Sequence, residues 1–352
     1  MNLGDEYMAM KAKDLAKKLG ISPASVSLVL NNKPGVSEKT RQMVLDALTE
    51  YGCENLMADS PKEKKTVLFL VYRKNVAKVE ESPYFSQIFS GIIEGVECQV
   101  KNCGYKLMVA YVDSLSIVNE VARIREEEID GLLILATEMI EEQMKLFTDM
   151  HVPTIIIDNY MENKDMDCVA INNEQGVDLA ITHLANMGHR DIGYLHIEGN
   201  ANNFVERYYG FLRAVRENAL ELNEEHILSF TTHGGDDLYL QLKKQLSQLS
   251  SMPTAFFADN DIVAIWATKV LREIGYRVPQ DVSLVGFDNI SLSQMIDPAL
   301  TTIQTPKYPI GCVAVNLLAN KIEGKLEDVF DGIQKVEMKT TLIQRQSVMQ
   351  RV

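Results

Sequence analysis

From Thr66 onward, short β-rich runs alternate with longer helical stretches, and no other feature limits the fold of this chain so tightly. VLFLV at 67–71, KLMVAYV at 106–112, GLLILA at 131–136 and TIIID at 154–158 form one series. IGYLHI at 192–197, AFFA at 255–258 and VSLVGF at 282–287 form a second. Helical patterns at 85–102, 174–187, 207–218 and 262–274 lie between them. Continuous apolar strands with intervening helices imply parallel sheets covered on both faces. Two series therefore predict an α/β body of two parallel-sheet lobes. Ligands of such sheets bind beyond the carboxyl ends of the strands, so a cleft between the lobes is the expected site.

Ahead of this body stands a short helical head. Ala12, Leu15, Ala16 and Leu19 have the i, i+3, i+4, i+7 spacing of a helix with one buried face, and Gly20 supplies its stop. Ser22-Pro23 then caps and starts a second helix, with Val26, Val29 and Leu30 inward and Pro23, Ala24, Ser25, Ser27 and Leu28 outward. After the loop Asn31-Asn32-Lys33-Pro34-Gly35, Ser37 caps a third helix whose core side is Val44, Leu45, Leu48 and Tyr51. Two short helices joined by a tight turn form a helix-turn-helix, a unit that fits the DNA major groove.

Charge distribution bears on that reading. The chain carries a net charge of −14, which disfavours nucleic acid, yet seven basic residues face four acidic ones between positions 9 and 52. The head is basic and the acidity lies mostly elsewhere. The opening MNLGDEYMAMKAKD has no apolar leader core, and no stretch approaches the ~18 apolar residues of a membrane span. The five cysteines are scattered with no C-x-x-C pair, which suits a reducing cytoplasm and argues against a zinc site. Asp259-x-Asp261 and Asp165-x-Asp167 lack the further ligands of a calcium loop. No nucleophile elbow, phosphate loop or H-E-x-x-H is present. No metal, no cofactor and no enzymatic reaction are expected.

The run KAKDLAKKLGISPASVSLVLNNKPGVSEKTRQMVLDALTEYG closely resembles the DNA-binding head of the lactose-repressor (LacI/GalR) family of bacterial regulators. The resemblance implies that Pro23, Ala24 and Leu28 touch base edges by apolar contact, while Ser22, Ser25, Ser27, Asn31, Ser37, Thr40 and Arg41 form the rest of the DNA face. After Gly52 the chain departs from the family, whose hinge helix wedges a leucine into the minor groove; here Lys62 stands at that place, next to Pro61. A flexible charged linker is the expectation for 53–65.

The body resembles the same family and, with it, the type I periplasmic sugar-binding proteins. The matching stretches are Asn172-Asn173-Glu174, Gly188-His189-Arg190-Asp191-Ile192, Arg207-Tyr208-Tyr209-Gly210-Phe211, Asp259-Asn260-Asp261, Gly286-Phe287-Asp288 and Pro298-Ala299-Leu300-Thr301-Thr302-Ile303. By that resemblance the head covers 9–52, the first lobe 66–160 with 292–324, and the second lobe 161–291 with 325–352. Arg207, Asn260 and Asp288 would bind the effector, with Asp158 at a strand end, Tyr84 and Phe85 as ring-stacking residues, and Thr137 and His233 as further contacts. A guanidinium and carboxylates can grip vicinal hydroxyls, which favours a sugar or polyol. The expectation is a cytoplasmic transcriptional regulator, a repressor, acting as a homodimer on two-fold symmetric operator DNA. The competing reading is a cytoplasmic sugar-binding module with a weak or idle head.

Overall fold

A computed structural model of the chain describes residues 11–31, 33–53, 56, 64–74, 83–160, 166–199, 201–231, 235–325 and 332–351, with the side chains of 83–88 outside that description. The chain divides into two compact units, 1–64 and 65–352.

The first unit holds three helices, α1 (Ala12–Leu19), α2 (Pro23–Leu30) and α3 (Glu38–Glu50). Local chemistry sets each boundary. Gly20, at φ 65°, closes α1 in the left-handed region. The hydroxyl of Ser22 accepts the Ser25 amide at 3.0 Å, with Pro23 in the first turn of α2. Ser37 accepts the Thr40 amide at 3.2 Å and so starts α3. Leu15, Ala16, Val26, Val29, Leu30, Val44, Ala47 and Leu48 are buried together with Cys53. Tyr51, expected on the core side, is instead 36% exposed. It lies beyond the last turn of α3, and the Lys18 ammonium covers its ring at 4.0 Å from the centroid.

In the second unit the first sheet joins β1 (Thr66–Tyr72), β2 (Lys106–Val112), β3 (Gly131–Leu135), β4 (Thr154–Ile157), β5 (Asp167–Ile171) and β11 (Lys335–Met338), in the order β11-β5-β4-β3-β1-β2. The second joins β6 (Ile192–Ile197), β7 (Ile227–Phe230), β8 (Ala255–Ala258), β9 (Ser283–Asp288), β10 (Thr301–Gln304) and β12 (Thr341–Ile343), in the order β12-β10-β9-β8-β6-β7. Every pairing is parallel except β10 with β12. The helices are α4 (Pro83–Asn102), α5 (Ile117–Glu126), α6 (Glu141–Met144), α7 (Asn173–Asn186), α8 (Asn202–Glu217), α9 (Gly235–Gln248), α10 (Asp261–Glu273) and α11 (Lys307–Ile322). The central strands β3, β5, β8 and β9 are buried along their whole length, as a doubly covered parallel sheet requires.

The lobe boundaries differ from the expected ones. β5 pairs with β4 and so belongs to the first sheet, although 161–291 was assigned to the second lobe. Conversely, β10 lies in the second sheet, although 292–324 was assigned to the first. The chain crosses between β5 and α7, between β10 and α11, and between β11 and β12. These strands of three to five residues are placed by hydrogen bonding to distant partners, which no local pattern reports.

Helices α4 and α11 run in backbone contact on the first sheet. A Cβ added at Gly95 would overlap the Tyr308 carbonyl, and one at Gly311 would overlap the Ile92 carbonyl. Neither obstacle is a movable side-chain end. Gly95→Val is expected to cost about 3 kcal/mol, read as a lowered urea midpoint; an unchanged midpoint would show that the two helices can separate freely.

Candidate functional site

On the head, the residues expected at DNA gather at two helix starts. The Ser22 and Ser25 hydroxyls lie 2.9 Å apart at the N-terminus of α2, and those of Ser37 and Thr40 lie 2.8 Å apart at the N-terminus of α3. Both ends combine free amides with the positive end of a helix dipole, the arrangement that attracts phosphate. Arg41 donates to the Lys33 carbonyl at 2.7 Å, which ties α3 to the preceding loop. Pro23, Ala24 and Ser27 are exposed, while Ser25 and Leu28 are half-buried. The Asn31 amide nitrogen donates to the Ser27 carbonyl at 2.7 Å and closes α2.

In the second unit, a cavity of about 390 Å³ opens between the two sheets and is lined by Thr137, Asp158, Arg207 and Asp288. Four expected effector residues therefore meet in one place. Asp158 follows β4 at φ 62°, and Asp288 ends β9 at φ 97°. Such backbone strain in non-glycine residues concentrates at functional sites. Thr137 donates to one Asp158 oxygen at 2.7 Å, and Asn203 donates to the other at 3.3 Å. Burial nonetheless pushes the Asp158 carboxyl up to about 6, against those two hydrogen bonds and the nearby Arg207 guanidinium.

Arg207 is the largest fully buried side chain, with 1% of its surface exposed. Its Nε donates to Asn173 at 2.9 Å, one terminal nitrogen donates to the Asp259 carbonyl at 2.5 Å, and the other reaches Asp288 Oδ1 at 3.4 Å. The guanidinium carbon stands 3.8 Å from the centre of the Phe287 ring. Asn203, one helical turn earlier on α8, shares its face and therefore its cavity.

Asn260 is not part of the lining. It is fully buried, and its Oδ1 accepts the Val263 amide at 2.9 Å as the cap of α10, while its amide nitrogen has no hydrogen-bond partner. The side chains of Tyr84 and Phe85, and the whole of His233, lie outside the described residues. So does most of the linker, with its atypical hinge.

Tyr72, Lys74, Ser114, Glu138, Gln143, Glu198, Asn203, Phe204 and Thr231 also line the cavity and were not singled out from sequence. Most sit at or just beyond a strand's carboxyl end: Tyr72 ends β1, Ser114 follows β2, Glu138 follows β3, Glu198 follows β6 and Thr231 follows β7. The strand-end rule, applied to every strand, would have found them. Among the described residues no group of three or more His, Cys, Asp or Glu could hold a metal ion, and no helix is long and apolar enough to cross a membrane.

Residues 11–53 match the family model described as bacterial regulatory proteins, lacI family, and 181–348 match the periplasmic binding protein-like domain. The HTH-type transcriptional repressor PurR of Pasteurella multocida (strain Pm70) is 31% identical over 346 residues, spanning 97% of this chain and 99% of the relative. The chain belongs to the LacI family. Like its relatives in that family, it is a DNA-binding transcriptional repressor with an effector-binding body. Solved structures of transcriptional regulators share its fold. The transcriptional regulator CelR in complex with cellobiose superposes with a TM-score of 0.71 at 24% identity, covering 96% of this chain and 99% of that one. The lac repressor dimer bound to operator and the anti-inducer ONPF does so with a TM-score of 0.69 at 21% identity, covering 97% and 99%.

Proposed function

We propose that this LacI-family repressor binds a neutral sugar in the cavity between its lobes and acts from the cytoplasm as a homodimer on a two-fold symmetric operator. The charge of the lining carries the sugar reading. Asp158, Glu138, Glu198 and Asp288 face the cavity against two cations, Arg207 and Lys74, among the described lining residues. That balance repels a phosphorylated or carboxylated effector and accepts a molecule rich in hydroxyl donors. Arg207 with Asp288 would grip one pair of hydroxyls, and Asp158 with Asn203 and Thr137 another. Phe204 and Tyr72 offer apolar surface to the C–H face of a ring. On the head, Pro23, Ala24 and Leu28 would meet base edges while the paired hydroxyls and Arg41 hold phosphates.

Calorimetric titration of the full-length protein with D-ribose, D-glucose and cellobiose, with sugar phosphates and with neutral nucleobases tests this. Saturable binding of a neutral sugar, with no binding of its phosphate, is the expected result. Preference for a phosphate or a nucleobase overturns the sugar reading.

The pH dependence provides a second check. The Asp158 carboxyl is raised from its usual 3.8 to about 6, so the fold disfavours its charge. The stability this group contributes is fully present below about pH 4 and is lost as pH rises through about 6. Sugar binding should run the other way, because bound hydroxyls favour the ionised acceptor beside Arg207 and Asp288. Affinity is expected to fall about tenfold from pH 7.5 to pH 5, and Asp158→Asn should flatten the profile. An unchanged slope in that variant would remove Asp158 from the grip.

A further inference from the structure

Helix α11 is bonded at one end to Asp288, a residue that lines the cavity, and at the other to the start of the body. Its first residue, Lys307, reaches across from the first lobe and donates its ammonium to the backbone carbonyl of Asp288. At its other end the carbonyl of Ile322, its last residue, accepts a hydrogen bond from Lys65 Nζ at 3.0 Å. Lys65 is the last residue of the linker and the first of the second unit, and its own carbonyl is held by the Lys106 amide at 2.8 Å. The next amide, of Thr66, is fixed by the Asp130 carboxylate at 2.6 Å. Sixteen residues of helix span about 24 Å between these two lysines.

The helix is braced along its length. Its backbone lies against that of α4 at Gly95 and Gly311, and it also packs on β3, β4 and β5. Lys307 sits in a costly place for a cation, half-buried near Asp288, Asp261, Asp158 and Arg207. An apolar side chain would serve packing alone at lower cost. The ammonium instead bonds a residue of the other lobe whose backbone is held in the left-handed region.

We propose that α11 carries the state of the cavity to the point where the linker joins the body, with Lys307 as the positioning residue for Asp288 and Lys65 as the receiving clasp. Its regulatory meaning rests on the cavity being the effector site. The coupling itself can be measured without any effector, so failure of one is distinguishable from failure of the other.

Hydrogen exchange of the full-length protein, read by mass spectrometry, tests it. In Lys307→Met, amides at 319–324 and 66–70 should exchange about fivefold faster, with α9 unchanged, and Lys307→Arg should restore protection. Lys65→Met should reciprocally loosen 307–311, and this second variant decides the matter if the first does not fold. A rise confined to the turn beside each substitution, or an equal rise in every helix of both variants, overturns the proposal.

Discussion

Arg207→Met is expected to lower the unfolding free energy by about 3–5 kcal/mol and to weaken sugar binding by at least about a hundredfold. The substitution preserves much of the apolar volume over Phe287 but strips a buried guanidinium from three acceptors at once. Asn173 Oδ1, the Asp259 carbonyl and the Asp288 carboxylate each lose a donor. Loss of the Asp288 ion pair is the costliest of these, because Asp288 is 1% exposed and the pair is buried. Arg207→Lys keeps the charge but not the fork, so it should recover part of the stability and less of the binding. Chemical denaturation and calorimetry on the same preparations separate the two effects. A Met variant that is as stable as the parent would mean that Arg207 is not the keystone of this cavity.

Ser25→Asp is expected to abolish operator binding, by more than about a hundredfold, without unfolding the head. The two effects have opposite signs for a physical reason. An aspartate in the first turn of α2 complements the helix dipole and can still pair with the Ser22 hydroxyl, now 2.9 Å from the serine it replaces. Helix stability should hold or rise slightly. The same carboxylate would face the DNA backbone, where repulsion from phosphates dominates. Unchanged affinity in a gel shift would sink the docking proposed for α2, and lost helicity would show that the head was damaged instead.

How far the sequence could be read depended on how local the deciding interactions are. Gly20, Ser22-Pro23 and Ser37 set the head's helix ends within three or four residues, so its three helices were legible. Tyr51 was misread because the Lys18 ammonium that covers it comes from another helix. In the body, the long apolar strands announced two parallel sheets. β5 and β10 were assigned to the wrong lobes because pairing with β4 and β9, across the fold, decides their place. Arg207, Asp158 and Asp288 are expected through family resemblance, and the fold brings them to the lining of one cavity. Glu138 and Glu198 were legible by the strand-end rule, since each follows the carboxyl end of a strand, but only the fold makes them neighbours.

The central claim is that a DNA-reading head and a sugar-binding cavity act as one regulator. Its most direct test is operator binding by the full-length protein to the DNA upstream of its own gene, titrated with salt and repeated with the sugar that binds best in calorimetry. The account predicts a specific complex that weakens steeply with salt and whose affinity that sugar changes at least about fivefold. If no specific complex forms even at low salt, while the sugar still raises the melting temperature, the claim is contradicted and the chain is a sugar-binding module with an idle head.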